Sequence, residues 1–143
     1  MSIKNILLAV ELINDERGVI QKALEYAKQF NAKITLVHGV EHIINYGTAY
    51  GVAMGAEIEE ALLESATRLM TKLGKKINVD EKNQIIKFGS AKNVILEEAD
   101  RIKADLIIIG SHGRHGVRLF LGSTANAVLH GAKCDVLAVR IKK

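Results

Sequence analysis

The chain alternates between short, almost unbroken apolar runs and longer stretches in which apolar residues recur every three or four positions. Residues 4–11 form the first apolar run, and its length and continuity predict a central parallel strand covered on both faces. After Asn14, Asp15 and Glu16, an acidic start for a helix, Val19, Ile20, Ala23, Leu24, Ala27 and Phe30 recur at helical spacing, and the helix is expected to end near Asn31. Residues 33–40 read as a second strand, so the first two strands and their helix specify a right-handed crossover unit.

Residues 41–55 show neither periodicity and carry Gly47, Gly51 and Gly55, which predicts a long loop. Beyond it Ile58, Ala61, Leu62, Ser65, Ala66, Leu69, Met70 and Leu73 predict an amphipathic helix over about 57–76 whose apolar stripe packs into the core. Residues 84–89 predict a third strand. Ser90 then stands as a cap for a helix carrying Val94, Ile95, Ala99 and Ile102. Residues 105–109, 123–131 and 134–141 complete the series as strand, helix and strand. Strands and helices alternating throughout define an α/β sheet, and no repeat or linker divides it, so residues 1–143 are expected to form one domain.

Composition narrows the class. The 143 residues are 48% hydrophobic and 25% charged, the balance of a globular domain large enough to bury a core. No apolar run reaches the length of a membrane span, and the N-terminal residues lack a signal-peptide layout, which makes a cytoplasmic protein without a membrane partner the expectation. The net charge of +4 is spread along the chain and aromatic residues are only 4%, so no nucleic-acid partner is expected. Cys134, the sole cysteine, is expected to pack as a small apolar group.

Chemistry concentrates in residues 110–124, which follow the apolar run 105–109. Glycines at 110, 113 and 116 suit a tight turn, and Gly122, Ser123 and Thr124 open the next helix. A helix N-terminus with hydroxyl donors, flanked by Arg114, His115 and Arg118, is suited to an anion such as a nucleotide phosphate. A plainer reading makes the glycines a strand exit and Gly122-Ser123 a helix cap. His112 with His115, and His38 with Glu41 and His42, are the candidate metal clusters; flanking glycines and the lack of a cysteine pair argue against a site. His38 reads as a hydrogen-bonded residue of its strand, and His130 as a complement to a helix end. No nucleophile, base and acid set is discernible, and no Gly-Lys-Ser/Thr follows the strand, so vigorous ATP hydrolysis is not expected.

Across essentially its whole length the sequence resembles the universal stress protein family. The resemblance is carried by residues 4–10, residues 34–40, the segment Ala104-Asp105-Leu-Ile-Ile-Ile-Gly-Ser-His-Gly113, and Gly122-Ser-Thr-Ala-Asn-Ala-Val-Leu with Cys134-Asp-Val-Leu-Ala-Val139. It implies a five-stranded parallel sheet of order 3-2-1-4-5 between helices, the adenine nucleotide alpha hydrolase-like fold. In that order the first and fourth strands are neighbours whose crossovers leave in opposite directions, which opens a crevice at their carboxyl ends.

The resemblance also implies a nucleotide site. Ala9, Val10 and Glu11 would border adenosine, the backbone around Gly39 would meet adenine, and Ile109 belongs to the same set. Gly110 and Gly113 would admit phosphates, to which Gly122, Ser123 and Thr124 would donate. The ligand would be ATP or a related adenine nucleotide, with Mg2+ only in its company and at most slow hydrolysis. The sequence departs from the nucleotide-binding pattern Gly-x2-Gly-x9-Gly-Ser/Thr, because eight residues, 114–121, separate Gly113 from Gly122. Glu11 stands where that pattern has Asp, and Gly39 takes a place often held by valine. Two functions stay open: a stress-response protein regulated by nucleotide, and a nucleotide-free dimeric interaction protein with a vestigial crevice. Both imply a homodimer through the apolar C-terminal strand, 136–141, and a further protein partner that the sequence does not identify.

Overall fold

The computed structural model describes residues 2–13, 16–42, 51–111 and 122–141, with the backbone alone at 51–54. Five strands alternate with helices: β1 (Asn5–Ala9), α1 (Arg17–Phe30), β2 (Lys33–Val40), α2 (Gly51–Ile77), β3 (Gln84–Phe88), α3 (Ala91–Ile102), β4 (Leu106–Ser111), α4 (Ser123–Gly131) and β5 (Asp135–Arg140). They form one parallel sheet of order β3-β2-β1-β4-β5. This is the adenine nucleotide alpha hydrolase-like architecture expected from the sequence.

The continuous apolar character of β1 reflects burial on both sides. Ile6, Leu8 and Val10 join Val19 and Ala23 of α1 and Met70 of α2 on one face. Leu7 and Ala9 face Val94, Ile95 and Ala99 of α3 and Ala125 and Val128 of α4 on the other. Each fully buried Leu or Ile stabilises the fold by roughly 1.5–3 kcal/mol, so the two cores are anchored on this central strand. Its entry is pinned by Asp105, whose Oδ2 accepts the backbone N–H groups of Lys4 at 2.8 Å and Asn5 at 2.9 Å. That pairing sets the register Ile6↔Leu106 and Leu8↔Ile108.

Helix ends follow the expected chemistry. Ser90 caps α3 by accepting the Asn93 N–H at 3.3 Å. Helix α1 stops at Asn31, which takes the left-handed conformation (φ 54°) that asparagine tolerates.

Two expectations for the second helix are corrected. The loop over 41–55 is shorter, because α2 already begins at Gly51; residues 43–50 lie outside the described part. A glycine costs a helix about 1 kcal/mol relative to alanine, which a helix of 27 residues absorbs. The apolar stripe of α2 is also not all core. Ala66 and Met70 are buried, whereas Ile58, Leu62 and Leu69 are 42%, 42% and 44% exposed. Finally, β4 continues to Ser111, so Gly110 is a strand residue paired with Val139 rather than the start of a turn.

Candidate functional site

A cavity of about 390 Å³ opens at the carboxyl ends of β1, β2 and β4. It lies where the sheet order reverses between β1 and β4, the position at which open α/β sheets accommodate ligands. Ala9, Val10, Glu11, Gly39, Ile109, Gly110, Gly122, Ser123 and Thr124 all line it. Gly113, the remaining residue of the expected set, lies outside the described residues, as do His112, Arg114, His115, Gly116 and Arg118.

The walls have distinct characters. Val37 and Ile109 supply buried apolar surface from the strands, and Ile95 and Ala125 supply it from α3 and α4. Gly39 is small because α3 starts against it: a Cβ there would lie 3.1 Å from the Ala91 Cα. A valine would push this helix start outward. At Gly110 a Cβ would come 2.8 Å from Ile141 Cδ1 and 3.2 Å from Val19 Cγ2, so packing already accounts for the glycine. Gly122 has a different reason. It precedes α4 at φ 90°, a backbone conformation open to glycine and unfavourable for other residues. Gly122 has no side chain with which to cap α4, and the helix N-terminus lines the cavity through Gly122, Ser123 and Thr124. Its first N–H groups have no partners within the helix and carry the positive end of the helix dipole.

The opposite wall is the turn from β1 to α1, organised by Glu16. Instead of capping α1, this carboxylate turns back and accepts the backbone N–H of Leu12 at 2.9 Å and of Ile13 at 3.4 Å, and it also meets the N–H of Glu11. Only 4% of Glu16 is exposed. Burial pushes its carboxyl above the ordinary value, against the three backbone donors, and the nearby charge of Glu11 adds to the rise. Leu12 sits at φ 62°, so the turn holds a bulky residue in the left-handed region and delivers Glu11 to the cavity mouth.

His38 also lines the cavity. Its Nδ1 lies 2.7 Å from the Val10 carbonyl oxygen, and since a carbonyl only accepts, Nδ1 is the donor. The expected role of a hydrogen-bonded strand residue is therefore what the structure has. His42 instead meets Glu59 at 3.3 Å and stacks on Phe88 with ring centroids 5.1 Å apart. Among the described residues no group of three potential metal ligands converges. Three carboxylates, Glu11, Glu16 and Glu41, stand around the cavity, and its described lining contains no lysine or arginine.

Glu16 is the residue that sequence reasoning misjudged, since an acidic residue before a helix reads as a dipole complement. The signal available was its position five residues after Glu11, within reach of a turn. Val37, His38, Glu41, Ala91, Ile95, Ala125 and Ile141 also line the cavity beyond the expected set. Cys134 is half-buried beside the α3/α4 core, and burial, with Asp135 nearby, pushes its thiol up. No helix of the described residues is long and apolar enough to cross a membrane.

A parallel sheet of this order with a cavity at its reversal defines an open, doubly wound α/β architecture, and comparison with known proteins gives the lineage. The profile of the universal stress protein family matches residues 2–140, and the chain belongs to that family. Universal stress protein A homolog 2 of Coxiella burnetii is 53% identical over 140 residues, covering 97% of this chain and 96% of its own. The solved universal stress protein UspA from Lactobacillus plantarum superposes with a TM-score of 0.82 at 23% identity, over 98% of this chain and 99% of its own. A universal stress protein solved in complex with cAMP superposes with a TM-score of 0.63 at 23% identity, over 99% of this chain and all of its own.

Proposed function

We propose that this protein binds ATP or a related adenine nucleotide in the cavity between β1 and β4 as a regulatory ligand of a cytoplasmic stress response. One observation carries the reading: a carboxylate, Glu11, and the N-terminus of α4, Gly122 to Thr124, border the same cavity of about 390 Å³ from different walls. That volume suits a small ligand. Glu11 accepts the ribose hydroxyls, and the apolar strip of Val37, Ile95 and Ile109 lies against the base. Phosphates go to the α4 N-terminus, where backbone N–H groups and the hydroxyls of Ser123 and Thr124 donate. Mg2+ enters only with the phosphates. The cAMP complex of a relative of this fold supports including cyclic nucleotides among the candidates. The protein acts as a sensor whose hydrolysis is at most slow.

A second reading is favoured by the electrostatics. Glu11 and Glu41 with no lysine or arginine in the described lining oppose a polyanion, which suits a nucleotide-free interaction protein. In both readings a second copy pairs along β5, an edge strand of the sheet with Val136, Leu137 and Val139 along it, and a further protein receives the signal. Calorimetric titration of ATP, ADP and cAMP, with and without Mg2+, separates the two. Saturable heat from any of the three supports the nucleotide reading, and none at millimolar ligand supports the other.

A further inference from the structure

The two faces of the sheet are covered differently. Helices α3 and α4 pack on each other, whereas α1 and α2 have few close approaches and leave a groove of about 740 Å³ between them. Its apolar lining comes from both helices, with Ile20 and Leu24 on α1 facing Leu69 and Leu73 on α2. Ile20 and Leu73 form its floor against the core, whereas Leu24 is 37% and Leu69 44% exposed, and Ile13 at the end of the groove is 47% exposed. An open strip of leucine and isoleucine along two helices signals an interaction surface rather than scattered surface apolarity.

Charge distinguishes the occupant. Arg17 and Lys28 border the groove from α1, and Lys72 and Lys76 border it from α2. Against these four cations stand Glu25, which pairs with Lys22 at 3.8 Å, and Glu16, whose oxygens are taken by backbone donors. Both rims are therefore basic around an apolar floor. From Arg17 to Lys28 the α1 border runs about three helical turns, roughly 16 Å.

We propose that this groove docks an acidic amphipathic helix of a partner protein, with an apolar stripe against Leu24 and Leu69 and Asp or Glu on both flanks. A helix laid between two splayed helices buries one face and keeps the other in water, which an open groove permits. A lipid chain would keep much of its surface in water there, because a small-ligand site must enclose its ligand. A second copy of this chain offering its own α1 and α2 would set lysines against lysines.

The test is fluorescence titration with a synthetic amphipathic peptide of roughly four turns, leucine on one stripe and glutamate on both flanks. A peptide with lysine replacing glutamate, and palmitate, serve as comparison ligands. The acidic peptide is expected to bind at least tenfold more tightly than the basic one, with affinity falling as salt rises. Joint Lys72→Glu and Lys76→Glu substitution should weaken it about tenfold or more and reverse the preference; Leu69→Gln should weaken it similarly. These side chains are at the surface, and an unchanged unfolding midpoint checks that the variants fold. Equal binding of both peptides, binding of palmitate without the acidic peptide, or no peptide binding at millimolar concentration overturns the proposal. So does conversion of a wild-type dimer to monomer by Leu69→Gln, which would make a second copy the occupant.

Discussion

The carboxylate of Glu16 accepts the N–H of Leu12 at 2.9 Å, and Leu12 holds a left-handed φ of 62°. Left-handed backbone costs a residue with a Cβ roughly 1–2 kcal/mol, so the turn that carries Glu11 to the cavity exists because a buried acceptor fixes it. Glu16→Ala should leave backbone donors without a partner and destabilise the protein by about 1–3 kcal/mol in urea unfolding. Leu12→Gly, which relieves the unfavourable φ, should cost much less than that or stabilise. If Glu16→Ala unfolds at the wild-type midpoint, the carboxylate does not organise the turn.

Acid stability should depend on carboxylates of opposite sign. Burial tends to raise the Glu98 carboxyl, but Lys87 at 2.6 Å and Arg101 at 2.5 Å outweigh it and bring the net value below its ordinary 4.5. Backbone donors from Lys4 and Asn5 likewise lower Asp105 below 3.8. These groups hold fewer protons folded than unfolded, so their stabilisation is present above the ordinary values and is lost as pH falls through the lowered ones. Glu16 is raised, so its contribution is full below 4.5 and declines as pH rises through the folded value. Stability measured from pH 3 to pH 7 should therefore fall less steeply on the acid side in Glu98→Gln than in wild type. In Glu16→Gln the decline above 4.5 should be absent. An unchanged acid slope in Glu98→Gln would count against the pairing.

At Gly122 the φ of 90° makes any Cβ unfavourable. Gly122→Val should remain folded with a cost of roughly 1–3 kcal/mol, since only the residue before α4 is strained. Its affinity for ATP should drop at least tenfold as the first N–H groups of α4 turn from the cavity. Wild-type affinity in this variant would separate the α4 N-terminus from ligand binding.

Along β5, Ala138 is exposed at the sheet edge. The homodimer reading expects sedimentation of wild type as a dimer at micromolar concentration. Ala138→Lys, which sets a like charge against its own copy across a two-fold axis, should shift it toward monomer. A wild-type monomer under the same conditions contradicts pairing through this strand.

Much of the fold was legible because its signals are local. The run 4–11 announced a strand buried on both faces, and the Ser90 cap announced α3 to the residue. The expected site positions among the described residues gather around one cavity because family resemblance and the β1/β4 reversal point to the same carboxyl end of the sheet. The rest depends on distances no local pattern contains. Leu69 has the spacing of a core residue, yet the groove between α1 and α2 leaves it at the surface. Glu16 looks like a solvated helix start until the chain folds back and buries it. Gly110 reads as the start of a turn until β4 runs on through it beside β5.

Residue-resolved amide NMR during titration with ATP and Mg2+ tests the central claim most directly, because it reports both binding and place. The account predicts saturable shifts at Glu11, Gly39, Ser123 and Thr124, with Leu69 and Lys72 in the α1/α2 groove unmoved. No shift at millimolar ATP, or shifts confined to residues away from the β1/β4 cavity, would contradict it.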